Sequence, residues 1–199
     1  MSAAPSMISL SVDGAQIEAR DGATVLEAAD AAGIYIPRLC SHPALPALDP
    51  GELEPWQEVF QGPTPHVEGV RSYAGCSLCL VSVDGRVEPA RACVTRVEAG
   101  MRVTTSDGEI DSRRRAQLRR LFATHPHACV QCAQKAGCAL EPCSTDVAKE
   151  ERCCPIFHNC ELRKVAEYVG IPADTPRYRP AGLAVVTSEP LYLRDYNLC

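Results

Sequence analysis

Ile8, Leu10 and Val12 alternate with Ser9 and Ser11, the period of a strand with one face buried. Asp13-Gly14 follows as a primed-type turn and Gln16 to Ala19 resumes the extended run, so the pattern predicts a hairpin. Thr24 and Glu27 form a capping box ahead of Val25, Leu26, Ala28, Ala29 and Ala32, with Gly33 at the C-terminal stop. This predicts a short helix packed on the hairpin. A second hairpin is written in Cys79 to Val83, Asp84-Gly85 and Arg86 to Glu88, and a closing strand in Met101 to Thr105. Beyond Ser106 the period turns helical. Leu118, Leu121 and Phe122 make a narrow apolar stripe, and Arg113, Arg114, Arg115, Arg119 and Arg120 cover the rest as a solvated face. Proline in His125-Pro126-His127 stops that helix, and residues 171 to 190 form a proline-rich, extended strap. Strands first and helices later give an α+β chain.

Composition narrows what such a chain can do. A length of 199 residues supports one or two domains with real cores, so disulfide staples are not needed. Met1 to Val12 lacks the basic and apolar regions of a signal peptide, and charges or prolines interrupt every apolar segment before it reaches membrane-spanning length. The expected setting is reducing and cytoplasmic, where clustered cysteines mean metal more often than disulfides. A net charge of -5 argues against nucleic acid as a partner. The chain has no glycine-rich nucleotide loop, P-loop or nucleophile elbow, so independent catalysis is not expected.

The 12 cysteines change the picture most. Cys40, Cys76, Cys79 and Cys93 form one group, and His125, Cys129, Cys132 and Cys138 form a second in an H-x3-C-x2-C-x5-C pattern. Thiolates are soft anionic donors suited to iron, and a cluster takes four of them, or three with an imidazole. Gly75 lets backbone amides approach the sulfurs of the first group. His127 is out of register, either supporting a ligand or facing solvent. Cys143, Cys153, Cys154 and Cys160 form a further group, sufficient for another 4Fe-4S cluster or a zinc site, although adjacent Cys153 and Cys154 point in different directions in most conformations. The alternative reading of the whole chain is a zinc-structured interaction module, but structural zinc favours paired C-x-x-C knuckles, and Cys76 to Cys93 lacks the second.

The segments Gly33 to Pro43, Gly75 to Val81 and Arg91 to Thr95 resemble the ferredoxin domain that opens the large iron-sulfur subunit of complex I, a module shared with NADH-linked hydrogenases and formate dehydrogenases. The resemblance implies a β-grasp fold in residues 1–105 holding a 2Fe-2S cluster on Cys40, Cys76, Cys79 and Cys93. It implies a small helical domain in 106–170 holding a 4Fe-4S cluster on His125, Cys129, Cys132 and Cys138. Asn159 to Gly170 resembles the segment with the last cysteine of that motif, which makes Cys160 a rival to Cys138; the local spacing favours Cys138. This chain departs from the family in the stretch between Cys40 and Cys76, where residues 44–72 read as an insertion anchored by Trp56 and Phe60. Glu189 to Cys199 resembles the entry to a two-cluster ferredoxin domain, so 171–199 is expected to lead into a truncated one. The implied partners are a flavoprotein NADH dehydrogenase-type subunit and a catalytic oxidoreductase subunit.

Overall fold

The computed structural model describes residues 6–42, 59–60, 65–66, 75–136, 138, 142–143, 145–153, 157–179, 182, 184–188 and 190–193. Most of the expected insertion with its Trp56 anchor, Cys154, and the stretch from Arg194 to Cys199 lie outside them. In chain order the strands are β1 (Met7–Val12), β2 (Ala15–Arg20), β3 (Val59–Phe60), β4 (Pro65–His66), β5 (Leu80–Val83), β6 (Ala90–Arg91) and β7 (Arg102–Thr104). The helices are α1 (Val25–Ala31), α2 (Gly108–Phe122), α3 (Ala128–Gln131) and α4 (Glu161–Val169). Met1–Leu53 with Ala74–Gln117 forms one compact unit, and Glu54–Tyr73 with Leu118–Cys199 forms another.

The first unit is built on a five-stranded mixed sheet of order β2-β1-β7-β5-β6, with β1 and β7 parallel and the other pairs antiparallel. Asp13 and Gly14 both have positive φ, as a primed turn requires, and this fixes the β1–β2 register at Val12 opposite Ala15. The Asp13 carboxylate accepts from the Thr105 amide at 2.8 Å and its hydroxyl at 2.6 Å, which ties that turn to the end of β7. Helix α1 opens on the expected capping box: the Glu27 amide donates to Thr24 Oγ1, and Glu27 accepts from the Thr24 amide at 2.7 Å. Its inner residues Val25, Leu26, Ala28 and Ala29 pack with Leu10, Val12, Val81, Val83 and Val103. Each large aliphatic side chain buried in this core contributes on the order of 1.5–3 kcal/mol.

Two expectations change on contact with the structure. The strand paired with β5 is not Arg86 to Glu88 but Ala90–Arg91, with Leu80 opposite Arg91 and Val81 opposite Ala90. Pro89 has no amide to donate, so pairing cannot begin before Ala90, and Val83 pairs with Val103 of β7. The arginine run is not uniformly solvated either. Ile110, Arg114, Leu118 and Phe122 recur every fourth residue on one face of α2, and all four are fully buried. Asp107 caps this helix by accepting from the Ile110 amide at 2.8 Å, and Ser82 donates to its other oxygen at 2.8 Å.

The second unit has the short ribbon β3–β4 and helices α3 and α4, with Phe157, Val165, Ala166 and Val130 buried. Arg163 lies over the Phe157 ring, 4.5 Å from its centre. Lys135 joins the carbonyl of Val130 to Glu167 on α4.

Candidate metal centre

In the first unit three loops deliver four sulfurs to one place. Cys40 follows the buried Ile36, in a segment pinned when Arg38 donates to Asp30 of α1 and to the Ile36 carbonyl. Cys76 and Cys79 precede β5, and Cys93 lies in the turn after β6. That turn is clamped to α1, because the Val25 and Leu26 amides donate to the carbonyls of Thr95 and Ala92 at 2.8 and 3.0 Å. The same bonds satisfy two of the helix's otherwise orphaned N-terminal donors. Ala92 in turn donates to the Cys79 carbonyl at 2.9 Å, fastening the two ligand loops to each other.

The Cys40 and Cys76 sulfurs stand 3.4 Å apart. Cys93 hydrogen-bonds to both Cys40 and Cys79, so the four thiols form one connected set. Cys79 is 1% exposed and Cys76 6%, while Cys40 and Cys93 are half-buried. Gly75 adopts a φ of +74°, a left-handed conformation that a side chain would strain; a Cβ there would also lie 3.3 Å from Arg91 Nη1 and in ordinary contact with Cys40 Sγ at 4.0 Å. Ser77 also has positive φ, so the loop between Cys76 and Cys79 is tightly wound. The Leu39 amide donates to Cys76 Sγ at 3.4 Å, and the Leu78 amide also bonds it. The Cys93 amide bonds Cys79.

Electrostatics follow from this packing. The Cys40 thiol and burial push Cys76 up, and hydrogen bonds with Cys40 and Cys79 push Cys93 up. The bond that Cys79 accepts from Cys93 lowers it to about 7. Four thiols this close cannot all ionise unless a cation is shared among them. Among the described residues no three His, Cys, Asp or Glu side chains close around a single ion; the thiols are hydrogen-bonded among themselves. A connected four-sulfur donor set with backbone amides aimed at it fits a 2Fe-2S cluster.

The second unit gathers its cysteines differently. His125 is half-buried, its Nδ1 is 2.7 Å from the Pro126 carbonyl, and burial holds its pKa below the ordinary value. Cys129 is buried and accepts from the Cys153 amide at 3.2 Å, while the Cys153 thiol donates to the Pro126 carbonyl at 3.5 Å. Burial and the neighbouring Cys129 push the Cys153 thiol up to about 12. Thr145 Oγ1 stands between Cys132 Sγ at 3.8 Å and Cys143 Sγ at 3.5 Å. A cavity of about 340 Å³ opens beside Cys132, lined also by Ala128, Gln131, Val147 and Arg177. Cys138 is half-buried, with its carbonyl 2.6 Å from His158 Nε2, and Cys160 sits at the N-terminal boundary of α4 without a side-chain cap bond. His127 does not face solvent: it is 1% exposed, its ring centre lies 4.9 Å from that of Phe122, and its Nδ1 is 3.1 Å from the His125 carbonyl. Spacing along the chain carries no hint that Cys153 meets Cys129, because 24 positions separate them.

Comparison with known proteins matches the region that holds the first centre. Residues 5–49 and 63–108 match the family model of the 2Fe-2S iron-sulfur cluster binding domain. The Bacillus subtilis protein YrhE, named as a formate dehydrogenase, is 28% identical over 195 residues, covering 96% of this chain and 15% of YrhE. The 75 kDa protein of NADH-ubiquinone oxidoreductase from Reclinomonas americana is 30% identical over 136 residues, 68% of this chain and 16% of that protein. In a crystal structure of NAD+-reducing [NiFe]-hydrogenase in the H2-reduced state, one chain superposes with a TM-score of 0.59 at 26% identity, covering 96% of this chain and 61% of that one. The chain thus spans only about a sixth of these two curated relatives. Over residues 5–49 and 63–108 the chain belongs to the 2Fe-2S iron-sulfur cluster binding domain family, and it is similar to the 75 kDa protein of NADH-ubiquinone oxidoreductase, to a chain of NAD+-reducing [NiFe]-hydrogenase and to YrhE.

Proposed function

We propose that the chain is an iron-sulfur electron relay, or the N-terminal part of one, within a multi-subunit oxidoreductase. The observation that carries this reading is the meeting of Cys40, Cys76, Cys79 and Cys93 inside the residues matched by the 2Fe-2S domain family. On this reading the first unit is a β-grasp ferredoxin domain and those four thiols hold the cluster. Bound there, a 2Fe-2S cluster supplies reversible one-electron transfer. The chain's part is to hold the donors and offset their charge. The amides of Leu39, Leu78 and Cys93 point at the thiols, burial of Cys76 and Cys79 keeps water from one side, and half-buried Cys40 and Cys93 leave the other side open to a partner.

The second unit is read as a helical, cysteine-rich domain holding a 4Fe-4S cluster on His125, Cys129, Cys132 and Cys138. His125 kept neutral by burial supports its role, since the neutral imidazole is the ligating form. Cys153 competes for the fourth position because it is packed on Cys129. A further cluster would draw on Cys143, Cys153, Cys154 and Cys160. The relay connects a flavoprotein NADH dehydrogenase-type subunit to a catalytic subunit of the formate dehydrogenase or hydrogenase kind, in the cytoplasm. Among the described residues no helix is long and apolar enough to cross a membrane.

The test is iron, acid-labile sulfide and zinc per chain after anaerobic purification. About six irons with matching sulfide is the expected result, and about ten would add the further cluster. Zinc without sulfide would overturn the proposal.

A further inference from the structure

Arg114 is 0% exposed and the largest fully buried side chain in the molecule's described core. It lies in the part of α2 that belongs to the first unit. Its Nε donates to the Leu78 carbonyl at 2.9 Å and its Nη2 to the Leu80 carbonyl at 2.7 Å. Leu78 stands between Cys76 and Cys79, and Leu80 follows Cys79, so the guanidinium fork grips the C-x-x-C loop from behind on both sides of Cys79. Asp111 Oδ1 lies 3.5 Å from Nη1 and is partly solvent-exposed, so water screens its share of the interaction. Arg91 also reaches this loop but is only half-buried, where solvent screens it too.

A buried guanidinium keeps its charge, because its pKa lies far above any working pH. Burying a charge is costly, and the two carbonyls and the carboxylate each offset part of that cost. A 2Fe-2S core on four thiolates beyond the loop is anionic and adds to the compensation. Reduction gives that core one electron and one further negative charge. A fixed positive charge in a water-poor region therefore favours the reduced state more than the oxidised one.

We propose that Arg114 is a positioning residue that sets the reduction potential of the 2Fe-2S site by holding a buried positive charge and two carbonyl contacts behind the Cys76–Cys79 loop. The proposal rests on the reading that these cysteines hold the cluster, and the wild-type iron and sulfide content tests that reading separately. The experiment is a redox titration of the full chain, purified anaerobically, with dithionite as electron donor and the 2Fe-2S electron paramagnetic resonance signal as readout. It compares wild type with Arg114→Gln, Arg114→Lys and Asp111→Asn. Arg114→Gln is expected to weaken electron uptake at least tenfold, about 59 mV for a one-electron couple. Arg114→Lys should recover most of that shift while broadening the signal, because an ammonium keeps the charge and loses the planar fork. Asp111→Asn should move the potential the opposite way, toward easier reduction. An Arg114→Gln protein that retains its cluster with unchanged potential and line shape overturns the proposal. If Arg114→Gln does not retain the cluster, Arg114→Lys decides: a broadened signal at a potential close to the wild type's supports the role, and an unchanged line shape overturns it.

Discussion

The second unit carries eight cysteines to the first unit's four, yet only the first assembles its set through its fold alone. In the first, every ligand loop is fixed by sheet or helix: Cys40 through Arg38 and Asp30, Cys79 through β5, and Cys93 through a turn bonded to the start of α1. The four thiols meet as a consequence of folding. In the second, the sulfurs lie on short helices and irregular loops and come together in pairs, Cys129 with Cys153 and Cys132 with Cys143 across Thr145. A sheet holds a site in place whether or not it is loaded, whereas loops of this kind draw much of their order from the metal they bind. The first site is built by the fold, and on the proposed reading the second unit is completed by its cluster.

The sharpest way to break this contrast is to remove iron from the anaerobic protein with a chelator and follow amide hydrogen exchange. Protection at Leu10, Val81 and Val103 is expected to survive, while exchange from Ala128 to Cys132 and around Cys153 rises by roughly tenfold or more. Equal loss in both units would erase the distinction. A smaller effect is expected at His125. Changing it to Ala should shift the spectrum of the second cluster without touching the first, and an unaltered spectrum would hand the fourth position to another donor, such as Cys153, whose amide bonds Cys129.

The smallest effect concerns the cap of α2. Asp107→Ala is expected to cost about 1 kcal/mol of stability near neutral pH, as N-cap losses do. Hydrogen bonds from the Ile110 amide and from Ser82 hold the Asp107 carboxyl below its ordinary range. A depressed folded pKa means the contribution is present above the unfolded pKa of about 3.9 and disappears as pH falls through the folded value. Urea unfolding of both proteins should therefore give midpoints that separate at neutral pH and converge in strong acid; a gap that persists there would assign the loss to something other than the ionised cap.

Local chemistry is readable along the chain, and long-range packing is not. Asp13-Gly14, the Thr24–Glu27 box and Cys76-x-x-Cys79 each act within a few residues, and each stands where its pattern places it. The paired strand Ala90–Arg91 is obscured because Arg86 to Glu88 fits a hairpin period, and only Pro89 signals the displacement. Arg114 reads as solvated because it stands among arginines that are. The clue is its place in the every-fourth series Ile110, Arg114, Leu118, Phe122, where a charged residue interrupts an otherwise apolar face. The Cys153–Cys129 contact depends on loop closure over 24 positions, and no periodicity encodes that.

The most direct test of the central claim is low-temperature electron paramagnetic resonance of the reduced chain beside its Cys79→Ser variant. Cys79 is the most deeply buried of the four thiols, and serine retains its size while removing the soft donor. The account predicts that the 2Fe-2S signal of the wild type is lost in the variant, while the second cluster's signal persists in a folded second unit. A variant that keeps the wild-type 2Fe-2S signal at full intensity would contradict the assignment of that site to these four cysteines.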